Sequence, residues 1–82
     1  MSRPPIHTIR MGFIKADIWR NDTKAGLRHT VSVVRLYRDG DIWRESTRFG
    51  RDDLPLVSKV SEFALEWIYF HSKDIPEGVS HD

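Results

Sequence analysis

Residues 31–49 read VSVVRLYRDGDIWRESTRF, and this stretch predicts a β-hairpin. Its central Asp39-Gly40 suits a two-residue turn of type I′, because both turn positions need positive φ and Asp-Gly tolerates this well. Apolar and polar residues alternate on both sides of the turn, as they do in strands with one buried face. Working outward from the turn, residues 27–38 form one predicted strand and residues 41–50 the next.

Upstream, residues 6–20 are rich in β-branched and apolar side chains and predict a further strand. Gly12 interrupts it, and the apolar positions change there from odd to even numbers. A glycine inside a strand often marks a bulge or a bend. The sequence therefore predicts three strands, or four if the first is broken in two at Gly12.

Downstream, the hydrophobic period changes to the spacings of three and four that are typical of an amphipathic helix, from Leu56 to about His71. Asp52 or Asp53 can cap this helix, and Pro55 fits its first turn. The predicted fold class is α+β, a twisted antiparallel β-meander followed by one C-terminal α-helix. We expect a single domain over residues 6–73, with flexible tails at residues 1–5 and 74–82.

The composition limits the possible functions. The 82 residues include no cysteine, which excludes disulfides, thiolate zinc sites and thiol catalysis. The sequence contains no phosphate-binding glycine loop, nucleophile elbow or close histidine pair. No apolar run reaches the roughly 20 residues of a membrane span, and the N-terminus has no apolar signal core. We expect a cytoplasmic, non-enzymatic protein with no metal, no cofactor and no small-molecule substrate.

The assumed register predicts which sheet face the helix covers. It places Val34, Leu36, Trp43 and Phe49 on one face, together with Met11 and Phe13, and this face is expected to lie under the helix. The opposite face then has an apolar end, formed by Ile14, Ala16, Ile18, Leu27, His29, Val31 and Val33, and an arginine-rich end. One helix cannot cover both faces, so the apolar end predicts a homodimer. A slip of one residue in the register would exchange the two faces.

Arginines interleaved with aromatic residues indicate a nucleic-acid surface. Arginine supplies a bidentate phosphate donor, and a flat ring supplies a surface on which a base can stack. The net charge is only +1, but residues 6–50 hold nine Lys/Arg against five Asp/Glu. The candidate binding residues are Arg35, Tyr37, Arg44, Arg48, Arg28 and Trp19, with Trp19 expected to be the most accessible tryptophan.

Two functions follow from this pattern. The first is sequence-tolerant binding of nucleic acid, single-stranded DNA above all, through a basic and aromatic sheet face. The alternative is a protein–protein interaction or self-assembly module, in which the arginines only keep the surface soluble.

Several strings resemble a set of short bacterial proteins with no assigned activity: IKADIWRN, VSVVRLYRDGDIWRES, FGRDDL and ALEWI. The likeness runs from about Ile9 to Ile68 and implies no function. More remotely, antiparallel strands followed by one helix resemble half of a Whirly-type or transcriptional-coactivator-type fold. The proteins with that fold dimerise and bind single-stranded DNA across basic sheets. The coactivator pattern has four strands before its helix, and none of its motifs is matched residue for residue.

Overall fold

The computed structural model describes residues 3–71 and contains one antiparallel sheet followed by one helix. The strands lie side by side in chain order: β1 His7–Met11, β2 Ile14–Thr23, β3 Gly26–Asp39 and β4 Ile42–Ser46. A 3₁₀ turn over Arg51–Asp53 leads into α1, Leu54–His71. The predicted α+β meander with a C-terminal helix is confirmed. The predicted tail at residues 74–82, the last two residues of the predicted domain and residues 1 and 2 lie outside the described residues.

The change of apolar parity near Gly12 is a hairpin turn. Met11 pairs with Ile14, which leaves Gly12 and Phe13 as the two turn residues. Gly12 has φ of 60°, a conformation that residues with a Cβ rarely adopt. This turn folds odd-numbered residues of β1 and even-numbered residues of β2 onto the same sheet face. The predicted first strand is therefore two strands.

The hairpin between β3 and β4 turns one residue later than predicted. Asp39 pairs with Ile42, so Gly40 and Asp41 form the turn. Only Gly40 has positive φ, at 64°, which is the sign pattern of a type II′ turn and not of type I′. The pairing therefore shifts by two positions, and Tyr37 faces Arg44 instead of Ile42. A shift of two leaves each paired residue of this hairpin on the face that the sequence predicted for it.

β3 is longer than both of its neighbours. Its pairing with β2 extends to Gly26 opposite Thr23, so the predicted loop over residues 21–26 is reduced to Lys24 and Ala25. β4 ends at Ser46, short of the predicted Gly50, and pairs only with the last part of β3, from Arg35 to Asp39.

The helix covers the face that the sequence analysis left open, and this corrects the predicted face assignment. Ile14, Ala16 and Ile18 have no exposed surface, and Val60 of α1 is equally buried and packs with Ile14 and Ala16. These β-branched and small side chains allow the helix to approach the sheet closely. Met11 and Phe49 do pack against this core, as predicted, but on the opposite sheet face from the expected one.

The helix lies over β1 and β2 and reaches only part of β3. Near its start, Leu56 lies against Gly12, with 3.5 Å between its Cδ1 and the position a Cβ would take there. Near its end, the Trp67 indole is stacked between two imidazoles, 4.6 Å from the ring centre of His7 and 4.2 Å from that of His71. The surface of the β3–β4 hairpin on the helix side therefore extends beyond the helix.

Candidate nucleic-acid interface

The sheet surface opposite α1, here called the open face, is not covered by any described element. The strand pairings place alternate residues on it. They are Thr8 and Arg10 of β1, Lys15, Asp17, Trp19 and Asn21 of β2, Arg28, Thr30, Ser32, Val34, Leu36 and Arg38 of β3, Trp43 and Glu45 of β4, and Phe13 of the first turn.

An exposed aromatic pair occupies one end of the open face. Phe13 and Trp43 lie with ring centres 6.0 Å apart and planes 25° from parallel, and they are 56% and 52% exposed. Both rings were predicted to lie under the helix, and that prediction is wrong. The two rings do share the face on which it placed them, but the helix packs on the other one.

A guanidinium group extends this aromatic surface. The Arg38 Cζ lies 5.6 Å from the centre of the Trp43 ring, within the range of a cation–π interaction. Arg38 approaches only one carboxylate among the described residues, that of the fully exposed Asp41 at 3.7 Å. Phe13, Trp43 and Arg38, with Leu36 and Tyr37, line a shallow cleft of about 290 Å³. We call Phe13, Trp43 and Arg38 the stacking cluster.

A chain of polar contacts crosses the middle of the open face. The Thr8 hydroxyl donates a hydrogen bond to Asp17 at 2.6 Å. Lys15 Nζ lies 3.3 Å from the Asp17 carboxylate and 2.8 Å from the carboxylate of Glu45 on β4. The hydrogen bond to Glu45 and the charge of Asp17 raise the pKa of Lys15 above its ordinary 10.5, against an opposing effect of partial burial. Both carboxylates therefore have an ion-pair partner, although the single charge of Lys15 leaves the three groups with a net charge of −1.

The other end of the open face carries Trp19 and Arg28. The Trp19 indole N–H donates to the Arg3 carbonyl at 3.2 Å, and the Arg3 guanidinium donates to the Asn21 side chain at 2.6 Å. These contacts leave Trp19 only partly exposed, so Trp43 and not Trp19 is the most accessible tryptophan among residues 3–71.

Two arginines of the open face have no carboxylate within ion-pair distance among the described residues. Arg10 donates only to the carbonyl of Gly12, at 3.0 Å. Arg28 lies beside the Asn21 row and is exposed. Such guanidinium groups keep their donors available for an external phosphate.

The remaining predicted binding residues lie elsewhere. Arg35, Tyr37 and Arg44 share the opposite face of the β3–β4 hairpin, and the Arg35 guanidinium lies 5.6 Å from the Tyr37 ring. Arg35 donates to the Arg48 carbonyl at 3.2 Å and lies 3.6 Å from Asp53, while Arg44 pairs with Asp39 at 2.8 Å. The structure therefore separates these three residues from Trp19 and Arg28, and Arg48 follows β4 on an exposed loop.

The six candidates chosen from the sequence leave out four residues of the open face: Phe13, Arg38, Trp43 and Arg10. Their signal was present in the strict alternation of Lys15 and Asp17 with Ile14, Ala16 and Ile18, which marks the buried side of β2. Pairing from β2 through β3 to β4 puts Lys15 and Asp17 on the same face as Trp43, which is therefore on the exposed side.

Other types of site find little support within the described part of the chain. Residues 3–71 hold no group of three potential metal ligands. Within the same residues, no helix is both long and apolar enough to cross a bilayer. Comparison of the chain with protein-family models, with curated proteins and with solved structures gave no match.

Proposed function

We propose that this protein binds single-stranded nucleic acid through its open face, with little preference for base sequence. The observation that carries the proposal is the stacking cluster, in which two half-exposed rings and a guanidinium lie together on a sheet surface that no described element covers. Bases of any identity stack on such rings, and each stacked base is worth about 1–3 kcal/mol.

The charges of the same face support a polyanionic ligand. Asp17 and Glu45 are both engaged by Lys15, whereas Arg10 and Arg28 have no carboxylate partner among the described residues. The face carries four cations, Arg10, Lys15, Arg28 and Arg38, against the two carboxylates, so its net charge is +2. Phe13 of the stacking cluster lies beside Leu36 of β3, and Trp19 lies opposite Thr30 of the same strand. At a rise of about 3.3 Å per residue, Leu36 and Thr30 are about 20 Å apart along β3. A single strand lying along this direction would meet aromatic rings at both ends.

A titration of a fluorescent oligothymidylate by the full chain tests the stacking cluster. Trp43→Ala should weaken binding by about 1–3 kcal/mol and leave the dependence on salt nearly unchanged, because stacking displaces few counterions. Trp43→Phe should restore most of the affinity. Phe70→Ala is the matched control, since Phe70 is 81% exposed on α1, away from the open face.

The salt dependence tests the arginines separately. Arg10→Ala combined with Arg28→Ala should flatten the slope of log affinity against log salt by about 1.4, because each phosphate contact to a single strand contributes about 0.7. Arg51→Ala combined with Lys59→Ala removes the same charge from outside the open face and should change the slope much less. Absence of binding at low salt would refute the proposal.

A protein ligand is the second candidate, favoured by the cleft at the stacking cluster. Its volume of about 290 Å³ and its apolar lining suit one inserted apolar side chain. Tryptophan and arginine are also the residues that most often dominate protein interfaces. If the parent protein does not bind the oligonucleotide even at low salt, the result favours this second function.

A further inference from the structure

The first part of β3 has an unpaired outer edge. β2 pairs with one side of the strand from Gly26 to Arg35, but β4 pairs with the other side only from Arg35 to Asp39. Among residues 3–71, no strand pairs with the outer side of residues 27–34. Exposed strand edges of this length are unusual in native proteins, because they recruit further strands.

The hydrogen-bond pattern identifies which groups point outward. The Leu36 N–H donates to the Phe13 carbonyl at 2.8 Å, so even-numbered residues of β3 bond to β2. Antiparallel pairing alternates strictly, and the register holds without a bulge back to Gly26. The outward N–H and C=O groups of the free edge therefore belong to Leu27, His29, Val31 and Val33.

An apolar groove lies beside this edge, on the helix side of the sheet. Val31 and Val33 form one wall, and Ser61, Ala64, Leu65 and Ile68 of α1 form the other, around a volume of about 320 Å³. Leu65 is 58% exposed and Val31 37% exposed. Val31 and Val33 therefore both point free backbone groups outward and present apolar side chains to the groove. The Nε2 atom of His29, on this strand, is buried without a hydrogen-bond partner among the described residues.

The small hydrophobic core favours association of this chain with a second copy. Only six hydrophobic residues are buried among residues 3–71, and Ile14, Ile18 and Val60 are the only large side chains among them with no exposure. Domains of this size rarely gain more than a few kcal/mol from such a core and commonly oligomerise. A second copy of this chain supplies both a complementary strand and a complementary apolar groove.

We infer that the free edge of β3 pairs antiparallel with the same segment of a second copy, about a two-fold axis at Thr30. This register places Leu27 opposite the second copy's Val33 and His29 opposite the second copy's Val31. All four outward-facing residues are then paired, with two hydrogen bonds for each pair. Arg28 faces the second copy's Ser32, so no like charges meet. Both helices lie on the same side, where Leu65 and Ile68 of the two copies cover the valines.

This dimer differs from the one that the sequence predicted. That prediction joined two copies through the face carrying Ile14, Ala16 and Ile18, which α1 covers within one chain. The edge-paired dimer leaves the open face exposed, so its test is independent of nucleic-acid binding.

Hydrogen exchange of the full chain, followed by NMR at two protein concentrations, tests the pairing directly. The amides of His29, Val31 and Val33 should exchange more slowly as concentration rises, together with a sedimentation mass of two chains. The amides of Thr30 and Ser32, which bond to β2, should be protected at both concentrations and serve as the internal control. A mass of one chain overturns the inference. Outer amides that are protected independently of concentration also overturn it, because part of the same chain then covers the edge.

Two pairs of variants separate the edge from the groove. Val31→Pro removes an outward N–H without removing a bond to β2 and should raise the dimer dissociation constant by at least tenfold, whereas Val31→Ala retains the N–H and should have a smaller effect. Leu65→Glu should also dissociate the dimer. Leu54→Glu changes a residue of similar exposure at the other end of α1 and should not. If Val31→Pro does not fold, the Leu65 and Leu54 pair decides the outcome, and equal dissociation by both variants would refute the interface.

Discussion

At the residue scale, Asp52 and Asp53 are adjacent carboxylates with different surroundings. The Asp53 carboxylate accepts a hydrogen bond from the Gly50 N–H at 2.8 Å, and its own N–H donates to the Gly50 carbonyl at 3.0 Å. It also lies 3.6 Å from Arg35 of the sheet. The Asp52 side chain is 91% exposed and contacts only Arg51 among the described residues. Asp53 therefore fastens the turn that starts the helix, and Asp52 does not.

Asp53→Ala should lower the free energy of unfolding by about 0.5–2 kcal/mol, the usual cost of a lost cap. Asp52→Ala should change it by much less, because an exposed contact between sequence neighbours contributes little. Urea unfolding of the two variants and the parent protein measures both effects. Equal losses would mean that the Gly50–Asp53 contact does not stabilise the helix start.

The sequence predicted Asp52 or Asp53 as the cap, but the N-cap of the turn is Gly50, and Asp53 acts from the third position after it. The spacing of an aspartate before an apolar helical run is visible in the sequence. Which carboxylate reaches back to Gly50 depends on the 3₁₀ turn at Arg51–Asp53, which has no comparable sequence signal. For Trp43 the prediction was wrong for a different reason. A large ring was expected to be buried, but the helix does not cover the face on which this ring lies.

At the element scale, the antiparallel meander and its C-terminal helix were predictable, but the sequence left open whether there are three strands or four, and the covered face was predicted wrongly. The alternation of Ile14, Ala16 and Ile18 with charged residues was visible, as was the change of parity at Gly12. A bulge and a two-residue turn produce the same change of parity, and only the turn creates β1. Both faces of β3 carry apolar residues, so the pattern of that strand alone could not decide which one the helix covers. Ile14, Ala16 and Ile18 lie under α1, whereas Phe13, Trp19 and Trp43 lie on the open face.

Lys15 joins β2 to β4 across the open face, and its contribution to stability should depend on pH. Its pKa is raised in the folded state, chiefly by the hydrogen bond to Glu45. The stabilisation is therefore complete below the unfolded pKa of 10.5 and is lost as pH rises through the higher folded value. The free energy of unfolding should fall over this range in the parent protein and fall less in Lys15→Met.

Urea unfolding from about pH 9 to about pH 12 measures this difference. Lys59→Met is the control, since Lys59 makes only an exposed contact of 3.4 Å with Glu62. A decline of the same size in Lys15→Met and in the parent protein would show that the contacts to Glu45 and Asp17 do not affect stability.

At the scale of the whole molecule, stability should depend on protein concentration. Folding coupled to pairing of two chains follows mass action, so the thermal midpoint rises with total protein. We expect an increase of several degrees between about 2 μM and about 200 μM, as for other small dimers whose folding and association are linked. Differential scanning calorimetry measures it, and Leu65→Glu should lower the midpoint and reduce its concentration dependence. A midpoint that does not change with concentration in the parent protein would contradict this.

The greater length of β3 compared with β4 also has a consequence for refolding from denaturant. A chain that forms its sheet before it meets a second copy displays the outward groups of residues 27–34 to every unfolded chain nearby. Any extended apolar segment can add there, and an added strand exposes a new edge for the next one. Pairing with a second folded copy leaves no free edge on residues 27–34, whereas addition of an unfolded segment leaves a new free edge each time. The yield of native protein should therefore depend on how fast the denatured protein is added to buffer. Slow addition keeps the concentration of unfolded chains low and should limit the number that reach a free edge.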